Sequence, residues 1–252
     1  MKKHIRSIKK DILIDSFVKN GIERYRATQV FSWVHKKHEL CVDSMTNINK
    51  DMRKYLSESY DFYEPIIEKE YASKIDDTKK YLIRLYDDNI IETVLMTYEY
   101  GKTLCVSTQV GCNMGCKFCA STIGGKKRDL DAYEILSQVY AVEDREHIRI
   151  NNIVVMGIGE PLGNMDNLLD FIDILNDEDG DNISKRNITV STCGIVPNII
   201  RLANDNNKFT LALSLHAPSD EIRHSIMPIS HRYNIDETLD AMALYYKNTN
   251  RR

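Results

Sequence analysis

From residue 103 onward, short β-branched and aliphatic runs alternate with longer stretches of helical periodicity. This alternation narrows the possible folds more than any other feature. Thr103–Ser107 reads as a strand, and Asp131–Val142 as the helix that follows it. The pattern repeats with strand Asn152–Met156 and helix Met165–Asn176, then strand Asn187–Thr192 and helix Val196–Asn204. It repeats again with strand Thr210–Leu215 and helices near Asp220–Ile226 and Asp236–Tyr246. A strand that returns through a helix to a further strand runs parallel to it, with the helices covering one side. Four such units predict an α/β fold, the beginning of a β/α barrel.

The chain upstream reads differently. Ile8, Ile12, Ile14, Phe17 and Val18 form a helical stripe that stops at Asn20-Gly21. Further helices are expected over Ala27–Lys37 and Lys50–Ser57. Ile66–Ser73, Lys79–Tyr86 and Asn89–Thr97 are β-rich runs separated by turn-forming Asp and Asn. The expected organisation is a small helical accessory domain over 1–62, a β-rich linker sheet over 63–98 and a core domain over 99–252.

With 42% hydrophobic and 28% charged residues and a net charge of −3, the 252-residue chain has a soluble globular composition. No stretch is apolar enough to span a membrane, and Met1 to Lys10 lacks the apolar segment of a secretory signal. A cytoplasmic monomer is the expectation. The global charge does not point to nucleic acid. Any such surface must be local, as at Lys126-Lys127-Arg128 or among Lys2, Lys3, Arg6, Lys9 and Lys10. Charge runs are usually solvated faces, so these residues carry little weight alone.

Thiols stay reduced in the cytoplasm, so the six cysteines do not suggest a disulfide framework. Cys41 and Cys193 stand apart and read as small buried side chains. Cys112, Cys116 and Cys119 stand together as C-x3-C-x2-C, directly after the first strand of the alternating region. Loops after strands form the catalytic face of a β/α barrel. A structural zinc ion takes four ligands, and a [4Fe–4S] cluster usually takes four cysteines. Three thiolates leave one iron open to a small chelating molecule. A zinc module remains the alternative, with His216 as a conceivable fourth ligand.

The run from Cys105 to Leu130 resembles the RlmN/Cfr family of radical-SAM RNA methyltransferases. Similar segments continue in the same order: Glu92-Thr93-Val94, Met156 to Asn164, Val190 to Pro197, Leu213 to Pro218 and Met227-Pro228-Ile229. The resemblance implies a partial (β/α)6 radical-SAM barrel with a small helical N-terminal domain and a short antiparallel sheet. It implies that Cys112, Cys116 and Cys119 hold a [4Fe–4S] cluster. It also implies that Gly159, Glu160, Ser191, Ser214, Leu215 and His216 bind S-adenosyl-L-methionine.

By the same resemblance Glu92 is a proton acceptor and Cys105 a catalytic thiol. In the family, the equivalent of Cys105 resolves a covalent protein–RNA intermediate by a transient disulfide with a second, methyl-carrying cysteine. The implied activity is methylation of adenine carbon 2 in 23S rRNA, near the peptidyl transferase centre, and in tRNA beside the anticodon. The implied electron source is a reductant such as flavodoxin or ferredoxin. No cysteine follows Cys193, and the sequence stops at Arg252, before the family's last barrel units. A C-terminally truncated chain unable to complete methyl transfer alone is therefore expected. The alternatives are a Cfr-type enzyme acting at carbon 8, and a non-catalytic RNA- or cluster-binding remnant.

Overall fold

The computed structural model describes residues 2–251. Met1 and Arg252, the outer ends of the expected first and last segments, lie outside the described residues. Three helices come first: α1 (Lys10–Lys19), α2 (Arg24–His35) and α3 (Lys50–Ser59). On α1 the buried stripe is Leu13, Ile14 and Phe17, while Ile12 and Val18 face solvent. The helix starts at Lys10, so positions 13, 14 and 17 share the inner face. Asn49 begins α3 by accepting the Met52 N–H at 2.8 Å.

Strands β1 (Ile66–Ala72), β2 (Lys79–Arg84), β3 (Ile90–Tyr98) and β4 (Gly101–Cys105) then run antiparallel in sequence order. A two-stranded ribbon, β5 (Gln109–Val110) with β6 (Arg128–Asp129), precedes α4 (Ala132–Glu146). The remaining elements are β7 (Asn152–Val155), α5 (Met165–Leu175), β8 (Ile188–Thr192), α6 (Val196–Asn204), β9 (Thr210–Leu213), α7 (Asp220–Ile226) and α8 (Ile235–Thr249). Strands β4, β7, β8 and β9 are parallel neighbours. The expected α/β architecture with a partial barrel is present.

The antiparallel strands do not form a sheet of their own. They are hydrogen-bonded to the parallel strands through β3 and β4, giving one seven-stranded sheet in the order β1-β2-β3-β4-β7-β8-β9. Lys80, Val94, Cys105, Val154, Thr189 and Thr210 stand opposite one another in a single row across six of these strands.

The two faces of the sheet differ. Ile83, Ile91, Leu95, Leu104, Ile153, Val155, Ile188, Val190 and Leu211 are at most 4% exposed, within one hydrophobic core that includes residues of α1 to α6 and α8. On the other face, Lys80, Leu82, Glu92, Val94, Cys105, Val154, Thr189, Ser191 and Ala212 are all partly exposed.

Helix α4 is fixed at its start by Glu134, which accepts the Asp131 N–H at 2.9 Å and receives two 2.7 Å bonds from Arg128. No helix among the described residues is long and apolar enough to cross a membrane.

Candidate active site

The chain leaves β4 into a long loop that the β5–β6 ribbon closes at its base. Gly111 has φ +74, and a Cβ there would lie 1.9 Å from the Gly125 carbonyl oxygen, so only glycine lets the two ends of the loop cross. The loop is pinned to the end of α7 by the Lys117 N–H, which donates to the Ile226 carbonyl at 2.9 Å.

The loop brings Cys112, Cys116 and Cys119 to the wall of a cleft of about 290 Å³ at the carboxyl ends of the parallel strands. Cys112 and Cys116 are buried, and Cys119 is partly exposed. Burial pushes the Cys112 and Cys116 thiols up. Cys193, expected to be a buried small residue, packs against Cys116 and Met227. Cys41, expected to be buried, is exposed in the loop after α2. All six cysteines are free.

Gly159, Glu160, Ser191, Ser214 and His216 line the same cleft, so the structure gathers these residues around the three thiols. Gly159 has φ +110, and a Cβ would meet the Gln109 side chain at 2.6 Å. Gln109 explains this close approach. Its Oε1 accepts the Glu160 N–H at 2.9 Å and its Nε2 donates to Asp129 at 2.7 Å.

Glu160 is buried and already has three donors. The Thr192 hydroxyl lies at 2.7 Å, the Cys193 N–H at 2.8 Å and the Leu162 N–H at 3.1 Å. The Cys193 thiol is a fourth donor, which fills the roughly four acceptor sites of a carboxylate. Burial pushes the Glu160 carboxyl up, and those hydrogen bonds pull in the opposite direction. The carboxylate is therefore a fixed acceptor, built into the end of β8, rather than a freely moving counter-charge.

Ser191 and Ser214 are bonded to each other at 3.0 Å across the ends of β8 and β9. His216 follows in a left-handed conformation, φ +59, with its ring tilted over Phe118 at a centroid distance of 4.7 Å. A non-glycine residue held in this region marks local constraint. Leu215 does not line the cleft. Its carbonyl instead accepts the Arg223 Nε–H at 3.3 Å.

Arg223 was not singled out in the sequence. Fully buried, it also donates to the Cys193 carbonyl at 2.7 Å and so clamps the ends of β8 and β9 at the cleft. A lone arginine in a short helix gives no sequence signal for this.

Cys105 and Glu92 stand apart from the cleft wall, on the open face of the sheet. Cys105 ends β4, and burial pushes its thiol up. Glu92 lies on the same face of β3, with Lys80 at 3.1 Å from its carboxylate.

The zinc reading fits the cysteines poorly. Among the described residues, the three metal-type ligand atoms gathered within 4.8 Å of one another belong to His38, Glu143 and Asp181, not to the thiols. Three thiols on one loop at an open-sided cleft, with Cys193 bonded to Glu160, do not make a closed four-ligand set.

Known proteins agree with this construction. Residues 106–251 match the radical SAM superfamily, and residues 5–61 match the ribosomal RNA large subunit methyltransferase N-terminal domain. A probable dual-specificity RNA methyltransferase RlmN of Clostridium novyi is 48% identical over 250 residues, covering 99% of this chain and 73% of that protein. The protein of the same description from Finegoldia magna is 50% identical over 242 residues, covering 96% of this chain and 69% of its own length. A crystal structure of a radical SAM methyltransferase from Sphaerobacter thermophilus superposes with a TM-score of 0.92 at 38% identity, covering 99% of this chain and 74% of that one. The chain belongs to the RlmN family of radical SAM methyltransferases.

Proposed function

We propose that this chain carries the cluster- and cofactor-binding part of a cytoplasmic, monomeric RNA methyltransferase that acts on carbon 2 of adenine in 23S rRNA and in tRNA, and that the chain alone does not complete the transfer. The observation that carries the proposal is the single cleft in which three loop thiols face Gly159, Glu160, Ser191, Ser214 and His216. Three thiols on one loop suit a [4Fe–4S] cluster with one open iron, while the fourth thiol at the cleft, Cys193, is hydrogen-bonded to Glu160. The Ser191 and Ser214 hydroxyls, the backbone at Gly159 and the Glu160 carboxyl suit the amino-acid end of S-adenosyl-L-methionine. Carbon 2 of adenine is not nucleophilic, and when bound these two groups supply the radical chemistry that such a carbon requires.

The chain's own residues position and shield. The β5–β6 ribbon and Lys117 fix the cysteine loop, while Gln109 fixes Gly159 and Glu160. Phe118, half-exposed beside His216, covers one side of the cleft. Cys105 and Glu92 are proposed as the resolving thiol and the proton acceptor. Both lie on the open face, on neighbouring strands, where a base extruded from its stack could reach them. The raised Cys105 thiol must lose its proton before it can act as a nucleophile. A small electron-transfer protein such as flavodoxin or ferredoxin is the proposed reductant.

The test is mass spectrometry of adenosines from 23S rRNA and tRNA of cells that lack the gene and then regain it. Loss and return of 2-methyladenosine in both RNAs is expected. 8-Methyladenosine would place the enzyme on the carbon-8 side of the family. No change in either product would overturn the proposal. Brown protein with iron and sulfide after anaerobic reconstitution, lost in Cys116→Ala, tests the cluster separately.

A further inference from the structure

We propose that His38, Glu143 and Asp181 form a binding site for one divalent metal ion of the zinc or manganese type, where the N-terminal helices meet the barrel. His38 follows α2, Glu143 lies in the last turn of α4, and Asp181 lies in the loop between α5 and β8. One ligand atom from each lies within 4.8 Å of the other two. Both acidic side chains are buried, Glu143 at 2% and Asp181 at 0% exposure. Glu143 Oε2 and Asp181 Oδ2 have no hydrogen-bond partner. An unsatisfied buried acceptor costs about 1–3 kcal/mol, and more if charged. Two such oxygens beside one imidazole make a donor set that a borderline cation satisfies.

The far side of the imidazole supports this. Nδ1 lies 2.9 Å from Asp144 Oδ1. Without a metal, Nε2 donates to Asp181 Oδ1, and against the opposing effect of burial the bonds to Asp181 and Asp144 push His38 up. A metal ion would replace the Nε2 proton while Asp144 keeps the one on Nδ1, as at metal-ligating histidines. Nε2 then faces Asp181 Oδ1 at 3.2 Å and Glu143 Oε2 at 3.7 Å. Two carboxylates facing Nε2 need positive charge beside them, which comes from a proton on His38 together with Arg149, or from a metal ion.

Three other groups face the cluster. Arg149 donates to both the carboxylate and the carbonyl of Asp181 and lies 3.7 Å from Glu143 Oε2, so a metal ion at the cluster must displace its half-exposed guanidinium. Tyr140 stacks on the His38 ring at 4.2 Å, and Arg6 donates to the His38 carbonyl at 2.8 Å. Burial, with Asp181 nearby, pushes the Glu143 carboxyl up to about 7, so near neutral pH a proton offsets part of the buried charge. A divalent ion takes over that role, and its uptake releases the protons. One imidazole and two carboxylates, without thiolate, suit zinc or manganese rather than softer ions.

The test is a titration of the metal-free chain with Mn²⁺, following the electron paramagnetic resonance signal of the free ion. Manganese avoids thiolates, so the cysteines do not compete. One ion per chain is expected, displaced by Zn²⁺. Asp181→Asn and Glu143→Gln should each weaken uptake at least tenfold, and Asp144→Asn by about 10–100-fold. Arg149→Gln should tighten it, because a competing cation is gone, whereas a salt-bridge network alone predicts no metal uptake in any variant. Circular dichroism checks folding, and Glu143→Gln carries the comparison if Asp181→Asn does not fold. Failure of the wild-type chain to take up Mn²⁺ overturns the site. So does uptake that is undiminished in both carboxylate variants.

Discussion

The two faces of the seven-stranded sheet are made of the same strands, residue by residue in alternation, yet they do different work. The covered face is aliphatic and sealed under helices. The open face carries Lys80, Glu92, Cys105, Thr189 and Ser191 among its partly exposed residues. The difference teaches where each kind of change should register. Alteration on the covered face should appear as lost stability, and alteration at the open face and cleft as lost chemistry.

The largest expected effect tests the second half of that statement. Cys116→Ala should abolish assembly of an iron–sulfur chromophore and bring reductive cleavage of S-adenosyl-L-methionine to background, while the urea midpoint moves little. A matching collapse in stability would break the comparison. Next comes the covered face, where Leu104→Ala or Ile153→Ala should cost about 2–5 kcal/mol in urea unfolding. The neighbouring open-face change Val154→Ala should cost less than about 1 kcal/mol. Equal costs would mean that the open face is packed as tightly as the covered one.

Acid should act on the helical side. Burial lowers His4 from 6.5 to about 4, with its ring stacked on Tyr133 at the start of α4. The unfolded chain therefore takes up a proton that the folded one refuses. Stability from this source is complete above pH 6.5 and is lost as pH falls toward 4. The loss is at most roughly 3 kcal/mol. A pH series of urea midpoints checks this, and His4→Gln should flatten the slope. A comparable or smaller effect than that of His4 is expected for Gly159→Ala. Its φ of +110 and the contact with Gln109 predict a cost of about 1–3 kcal/mol. Weaker binding of S-adenosyl-L-methionine should accompany it, measurable by equilibrium dialysis.

Much of this division was readable in the sequence. The alternating strands and helices announced themselves because each is long enough to show a period. The β5–β6 ribbon did not, since two-residue strands have no period to detect. The union of the antiparallel and parallel strands was also hidden. The β3–β4 hairpin turns at Glu99-Tyr100, without the Asn-Gly or Asp-Gly signal that marks a tight turn. Cleft residues were legible through a family resemblance and their positions at strand ends. What could not be read was Glu160 held by four donors, or Arg223 tying Cys193 to Leu215, because those partners are chosen by the approach of β7, β8 and β9. His38 meets Asp181 across 143 residues, a distance over which sequence pattern carries no information.

Cys105 stands at the seam where the antiparallel strands give way to parallel ones, opposite Val94 on one side and Val154 on the other. Its backbone is laced into the sheet from both directions, so this thiol is a fixed anchorage. Any sulfur that exchanges with it must make the journey, and the amides of β4 should be among the slowest in the chain to trade their hydrogens for deuterium.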